Sequence, residues 1–330
     1  MRKTKIAGIG YYVPERIVSN KDLEKIMDTS DEWIVTRTGI HERRWVDSKI
    51  GTSDLAVEAT EKALAMAKVT AKDIDLIIFA TLTSDYYFPG SAVQVQDKMG
   101  METIGAFDIK AACSAFVYGL SIGDQFVKTG QADNVLVIGA EIQSTGLDIS
   151  TKGRDMAVLF GDGAGAAVLQ PSNDNSQILS THIHSQGKYL KDLWIEVPSS
   201  IQSPYLTKEM IDEGRHHPQM NGREVFRNAV KRFPEVIMEA LNKNDLTIDD
   251  VSMVIPHQAN LRITQSVAKR LGVGMDKIYS NIERFGNTTG ASIPIALAEA
   301  YQEGKIKKDD ILILAAFGSG FTWASAAIRW

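Results

Sequence analysis

Cys113 is the single cysteine of the chain and lies in FDIKAACSAFVYGL. Asp108 to Lys110 read as a strand end, and Phe116, Val117 and Leu120 follow Ser114 at helical spacing, which puts the thiol at a strand-to-helix turn. A helix N-terminus favours the thiolate, so the position suits a nucleophile; a lone cysteine packed as a small apolar side chain is the plainer alternative. His257 closes the apolar run VSMVIPHQAN behind Pro256 and is expected at the carboxyl end of a central strand, the edge at which open α/β sheets hold ligands. Asn287 sits in FGNTTGAS, where Gly286, two threonines and Gly290 mark a tight turn into a helix. A thiolate flanked by two neutral hydrogen-bond donors suits acyl transfer: the sulfur carries the acyl group as a thioester while the donors polarise a second carbonyl. The same residue types would also serve a cysteine hydrolase, in which the histidine is the base for the thiol.

The elements between these residues must bring them together. TSDLAVEATEKALAMAKV, Thr52 to Val69, places Leu55, Ala59, Ala63, Leu64 and Ala67 at helical spacing behind Ser53 as a candidate N-cap. A polar turn follows, then the apolar run Leu76 to Ala80, read as a strand buried on both faces within a parallel sheet. The same order of helix, polar turn, Asp and apolar strand returns about 177 residues later in REVFRNAVKRFPEVIMEALNKNDLTIDDVSMVIPHQ. That offset sets His257 opposite Ala80 and Gly290 opposite Cys113, and Asp133 to Glu141 and Asp309 to Phe317 are matching strands. The chain is therefore expected to be an α/β protein of two duplicated βα halves packed as one compact unit. Residues 1–171 would carry the nucleophile Cys113 and residues 172–330 would carry His257 and Asn287, so that one half meets the other at a shared cavity. Ser172 to Gln219, with SNDNS, Pro198, Pro204, Pro218 and His216-His217, is the least regular stretch, expected to join the halves as a partly extended excursion bordering the ligand site.

Composition narrows the classes. With 330 residues, 44% hydrophobic and 23% charged, the chain is balanced as a globular protein, which excludes disordered, collagen-like and disulfide-scaffold classes. Net charge is −5, so a nucleic-acid partner is not expected. No run approaches the ~20 apolar residues of a membrane-spanning helix, and the short apolar stretch of MRKTKIAGIGYYVPERIV is no signal peptide. With one free cysteine, these features point to the cytoplasm and to no membrane partner. His182 and His184 share a strand face without an acidic or thiol partner nearby, so no metal is expected. Gly161, Gly163 and Gly165 in LFGDGAGAAVL match neither a dinucleotide fingerprint nor a Walker motif and are assigned to close strand–helix packing. In HQANLRITQSVAKRLG, Arg262, Lys269 and Arg270 share one helix face, a small basic surface on an acidic protein.

AACSAF, PHQANLRI, RFGNTTGASIP and FGSGFTW, together with SDEWIVTRTGI near the start and LFGDGAGAAVL in the middle, resemble the β-ketoacyl-acyl-carrier-protein synthase III family of the thiolase superfamily. The resemblance runs from the first strand to the last residues. It implies a thiolase-like, five-layered α-β-α-β-α arrangement and no cofactor. It also implies a decarboxylating condensation that initiates fatty-acid synthesis, in which acyl-CoA and malonyl-acyl-carrier protein give 3-ketoacyl-carrier protein, CoA and carbon dioxide. Cys113 would take the acyl group, and His257 and Asn287 would hold the thioester carbonyl of malonyl-carrier protein. The backbone N–H groups of Cys113 and Ser319 would form a second oxyanion hole, Ser319 standing where the family usually has glycine. Trp33, Arg37 and Arg154 would clamp the CoA adenine, and Asn260 would contact the pantetheine arm. Gln258, Ala259, Asn260, Leu261, Arg262 and Lys269 would dock the carrier protein. Phe88 would close the acyl pocket of the partner subunit in a homodimer. A condensing enzyme of specialised, polyketide-type metabolism is the nearest alternative, with residues 186–219 as the place where the difference would lie. A non-catalytic dimer partner is a further one, opposed by the retention of all three polar residues.

Overall fold

Two larger sheets organise the chain in the computed structural model, which describes residues 2–330. The first contains β1 (Lys3–Tyr12), β2 (Leu76–Ala80), β3 (Gly105–Ile109), β4 (Val135–Glu141) and β5 (Gly163–Ser172) in the order β1-β5-β4-β2-β3. Its β2 runs parallel to β3 and β4, while β5 is antiparallel to β4 and β1. The second contains β6 (Gln177–Ser185), β7 (Met253–Pro256), β8 (Ile311–Gly318) and β9 (Thr322–Arg329) in the order β7-β8-β9-β6, with β7 and β8 parallel. The helices that matter for the site are α1 (Asp31–Thr38), α2 (Thr52–Ala67), α3 (Ser91–Lys98), α4 (Ala115–Thr129), α5 (Gly222–Lys243), α6 (Leu261–Leu271) and α7 (Ser292–Gln302).

The layering follows from the strands. Successive side chains alternate between faces, so a continuous apolar run needs cover on both. Ile78, Val135 and Val137 turn inward onto α4 and α7, whereas Ile77, Phe79, Leu136 and Ile138 turn outward beneath α2 and α3. In the second sheet Ile255, Leu312 and Leu314 join the same central core, and Val254, Ile313, Ala315 and Phe317 lie under α5 and α6. The result is the α-β-α-β-α stack. Helix α7 is buried at every position from Ser292 to Ala300, as a helix enclosed between two sheets must be.

Duplication is written into register, capping and turn geometry. Leu76 pairs with Val135, and Met253 pairs with Leu312, each member 177 positions further on. Capping boxes Thr70/Asp73 and Thr247/Asp250 precede β2 and β7. Tight turns Ala112–Ser114 and Thr289–Ala291 feed α4 and α7, with Ala112 at φ 49° and Thr289 at φ 47°. A non-glycine residue in the left-handed region is uncommon, and here it recurs at the same place in both halves.

Three expectations need correction. β7 is an edge strand, joined on its other side only by the Val254–Ile278 bridge, so His257 does not end a central strand. Ser172 to Gln219 is not uniformly irregular: residues 177–185 form β6, hidden in the sequence by the polar Ser180, Thr181, His182 and His184 on a strand that is only partly buried. Helix α2 is capped by Gly51, whose N–H donates to the Asp54 carboxylate (2.8 Å), while Ser53 instead bonds Asp85.

The glycines of LFGDGAGAAVL do serve close packing. A Cβ on Gly165 would stand 2.6 Å from Pro294 Cβ, and one on Gly163 would stand 2.9 Å from Ile295 Cδ1. Gly165→Val is therefore expected to push β5 and α7 apart and to cost about 1–3 kcal/mol, the usual range for an overpacked core. The check is a lowered urea midpoint at unchanged slope; an unaltered midpoint would mean the two elements are not pressed together.

Candidate active site

Cys113 sits in the turn that opens α4, buried at the wall of a cavity of about 430 Å³ that is also lined by His257, Asn287, Ser319 and Asn260. The structure thus brings the three sequence-singled residues to one space. Thr322 Oγ1 donates to the Ala111 carbonyl (3.0 Å) and fixes the turn. The end of β8 approaches so closely that a Cβ on Gly318 would lie 2.8 Å from Cys113 Cβ. Burial, with the Glu141 carboxyl as second cause, pushes the thiol up to about 12, against the pull of the Cys113 and Ser319 N–H groups that reach the sulfur. The resting group is a protonated thiol, because desolvation outweighs the helix end that the sequence reading emphasised. Ser319 Oγ is engaged by the Leu193 carbonyl, which leaves its N–H directed at the sulfur.

His257 follows β7 and extends its ladder, donating its N–H to the Ala315 carbonyl (2.8 Å). Its Nδ1 lies 2.6 Å from Ser292 Oγ, which itself accepts the Gln258 N–H at 3.4 Å. Nδ1 is the acceptor within reach of the Ser292 hydroxyl, which therefore gives its proton to that nitrogen, and the neutral imidazole carries its own on Nε2. Burial holds the ring neutral, pushing its pKa down to about 3. Asn287 is pinned by its backbone: its N–H donates to Leu159 (2.8 Å) and its carbonyl accepts from Gly161 (3.1 Å). Asn287 Oδ1 accepts the Thr289 N–H at 2.9 Å, leaving the Nδ2 hydrogens as donors. Two uncharged donors and one thiol thus share the cavity. Ser292 escaped the sequence reading although it lies in RFGNTTGASIP, since nothing there announces a partner 35 residues away.

At the approach to the cavity, Trp33 on α1 is half-buried and has two guanidinium groups over its ring, Arg37 Cζ at 4.5 Å and Arg154 Cζ at 5.1 Å from the ring centre. Asn260 caps α6 by accepting the Arg262 N–H (2.9 Å) and donates to the Arg37 carbonyl (2.9 Å), tying the two helices together. Arg262 and Lys269 are exposed on α6, while Ala259 and Leu261 are partly covered. Gln258 departs from the expected surface role. It is 1% exposed, donates to the Pro256 and Tyr279 carbonyls and accepts from Ser280 and Asn281, so its side chain braces the loop from beneath. Phe88 lies outside the cavity and is 80% exposed. Leu193, Trp194, Ile195 and Pro218 of the excursion do border the site. His184 Nε2 bonds Glu239 on α5 at 2.7 Å and His182 Nδ1 lies 3.2 Å from the same carboxylate, an acidic neighbour that sequence spacing does not reveal. Among the described residues no His, Cys, Asp and Glu cluster is arranged to hold a metal ion.

A duplicated five-layer fold with a cysteine at the start of one central helix defines a thiolase-fold condensing acyltransferase. Residues 107–187 match the family model described as 3-Oxoacyl-[acyl-carrier-protein (ACP)] synthase III, and residues 241–330 match its C-terminal counterpart. The chain belongs to the 3-oxoacyl-[acyl-carrier-protein] synthase III family. It is 50% identical to the beta-ketoacyl-[acyl-carrier-protein] synthase III of Clostridioides difficile, covering 99% of this chain and 98% of that protein. It is 48% identical to the Caldanaerobacter subterraneus protein of the same name, covering 98% and 97%. Its structure is similar to that of 3-oxoacyl-[acyl-carrier-protein] synthase III from Aquifex aeolicus, with 44% identity, a TM-score of 0.91 and coverage of 99% and 100%. The priming beta-ketosynthase of the R1128 polyketide pathway is similar at 33% identity and a TM-score of 0.89, covering 99% and 96%.

The hydrogen-bond pattern predicts that ¹⁵N spectra of His257 show the neutral Nε2–H tautomer, unchanged between about pH 5 and 8, where an ordinary histidine titrates. An imidazolium signal growing in across that window would contradict the assigned site.

Proposed function

We propose that the protein joins an acyl group from acyl-CoA to a two-carbon unit from malonyl-acyl-carrier protein, the condensation that starts fatty-acid synthesis. The observation that carries this reading is the single cavity faced by Cys113 from one half and by His257 and Asn287 from the other. Sulfur attacks the acyl carbonyl, the carbon–sulfur bond to CoA breaks, and the thiol proton ends on CoA. Malonyl-carrier protein then presents its thioester carbonyl to His257 Nε2–H and Asn287 Nδ2–H. Loss of carbon dioxide leaves the bonding pair in an enolate, whose oxygen those donors stabilise more than they stabilise the ground-state carbonyl. The enolate carbon attacks acyl-Cys113, the Cys113 and Ser319 N–H groups hold the new oxyanion, and its collapse expels sulfur, which takes a proton from solvent. These steps call on no resident cofactor, acyl-CoA being a substrate.

The surrounding residues fit the same reading. Trp33 with Arg37 and Arg154 offers a flat cationic platform for the CoA adenine, and Asn260, bonded to Arg37 and lining the cavity that holds Cys113, suits the passage of a pantetheine arm. Arg262 and Lys269 give an acidic carrier protein a basic surface to dock on, with Ala259 and Leu261 as the adjoining contact and Gln258 shaping the loop beneath. β3 is an edge strand with Phe107 36% exposed, and Tyr86, Tyr87 and Phe88 are exposed near it, which favours a homodimer in which Phe88 reaches the partner's acyl pocket. A free thiol as nucleophile fits a reducing compartment, so we place the protein in the cytoplasm. The hydrolase reading loses ground because an imidazole held near pKa 3 is a poor base for the thiol. The polyketide-type alternative is the weaker of the two condensing readings, the R1128 enzyme being the more distant relative.

Cys113→Ser is expected to show no acyl mass increase after incubation with acyl-CoA. His257→Ala and Asn287→Ala are expected to acylate normally yet to decarboxylate malonyl-carrier protein about 10²–10³-fold more slowly, the usual cost of a lost oxyanion donor. Intact-protein mass spectrometry and carbon dioxide release read both, and normal acylation of Cys113→Ser would reject the assignment. Light scattering is expected to give the mass of two chains; the mass of one would reject the dimer.

A further inference from the structure

Glu141, at the end of β4, is a fully buried carboxyl that the proposed steps do not use. It accepts the Leu82 N–H (3.1 Å) and the Thr83 hydroxyl (2.6 Å) from the chain after β2, and Gln143 Nε2 stands 3.4 Å away. The Thr289 hydroxyl and Gly290 N–H, from the turn that follows Asn287, face the same carboxyl. Its place in the duplicated fold is informative. The offset of 177 that relates the halves takes Cys113 to Gly290 and Glu141 to Gly318. Each contact joins one member of each pair. Cys113 projects toward Gly318, where a Cβ would be 3.1 Å from the sulfur; in the equivalent contact the arrangement is exchanged, and a Cβ on Gly290 would be 3.3 Å from Glu141 Oε1. The carboxyl therefore stands where the second half would carry a nucleophile, with the Gly290 N–H facing it as the Cys113 N–H faces the sulfur.

We propose that Glu141 is a positioning residue whose carboxyl fills the second half's copy of the thiol site and ties the Thr289–Gly290 turn, and with it Asn287, to the ends of β2 and β4. The same carboxyl acts on Cys113. Burial raises its own pKa to about 7, and its charge is the second cause of the raised thiol. Its neighbours from the chain after β2 are the Thr81 and Thr83 hydroxyls and the Leu82 N–H, those from the α7 turn are a hydroxyl and a backbone N–H, and its own strand continues into the Gln143 amide; Cys113, from the α4 turn, is the titratable group that faces it. Replacing the carboxyl by an amide sets N–H donors against N–H donors and loosens the Asn287 turn.

The catalytic consequence rests on the condensation reading, whereas alkylation of the single cysteine needs no acyl substrate. For the wild-type protein, the logarithm of the iodoacetamide rate is expected to climb one-for-one with pH, flatten near pH 7 as Glu141 ionises and raises the thiol, then climb again. Glu141→Gln is expected to give an unbroken line, with a rate about tenfold above wild type beyond the shoulder, the equivalent of one pKa unit. The same variant is expected to acylate but to decarboxylate malonyl-carrier protein at least about tenfold more slowly at unchanged KM, with partial recovery in Glu141→Asp. Superimposable alkylation profiles overturn the proposal, as does a Glu141→Gln enzyme that decarboxylates at the full rate. Should that variant fail to fold, Thr83→Val removes one donor to the carboxylate and is expected to move the shoulder to higher pH; an unmoved shoulder overturns the proposal equally.

Discussion

Two helix-opening turns, Ala112–Ser114 and Thr289–Ala291, are pressed against each other between the sheets, and the site depends on how close they come. The approach is possible because side chains are missing where they meet the strands. A Cβ on Gly139 would lie 2.5 Å from the Gly290 carbonyl oxygen, and one on Gly318 would lie 2.8 Å from Cys113 Cβ. At that separation, the carboxyl ends of β2 and β4 and those of β7 and β8 open onto one cavity instead of two. Cys113 from the first half can then face His257 and Asn287 from the second.

Burial sets the charge state of what meets there. It pushes the thiol up to about 12, the imidazole down to about 3 and the Glu141 carboxyl up to about 7. Desolvation disfavours every charged form, so the thiol and the imidazole that line the cavity rest uncharged. In such a space neutral N–H donors exert their full effect on charge that appears only during reaction. His257 is a donor because Ser292 fixes its tautomer, and Asn287 is one because Thr289 occupies its oxygen.

Much of this was legible in the sequence because the duplication preserves spacing. The offset between IDLIIFAT and VSMVIPHQ places Cys113 and the FGNTTGAS turn in matching positions from spacing alone. Residues joined across the fold were not legible. Ser292 lies 35 positions from His257, and Glu239 lies 55 from His184, and neither pairing leaves a local trace. Strand β6 is hidden because its polar residues break the apolar pattern, and the edge position of β7 is hidden because sheet order is not written in a single strand. Gln258 looked like a surface residue beside a basic helix, yet the loop turns it inward onto Tyr279 and Ser280. The thiolate expectation failed for a related reason: a helix end can be read from sequence, but the depth of burial that opposes it cannot.

A crystal structure of the acylated protein with a non-decarboxylating malonyl thioester analogue tests the central claim most directly. The account predicts acyl density on Cys113 and the analogue's thioester oxygen within hydrogen-bond distance of both His257 Nε2 and Asn287 Nδ2. An analogue whose carbonyl lies away from those two nitrogens, or an acyl group carried by any other residue, would contradict it.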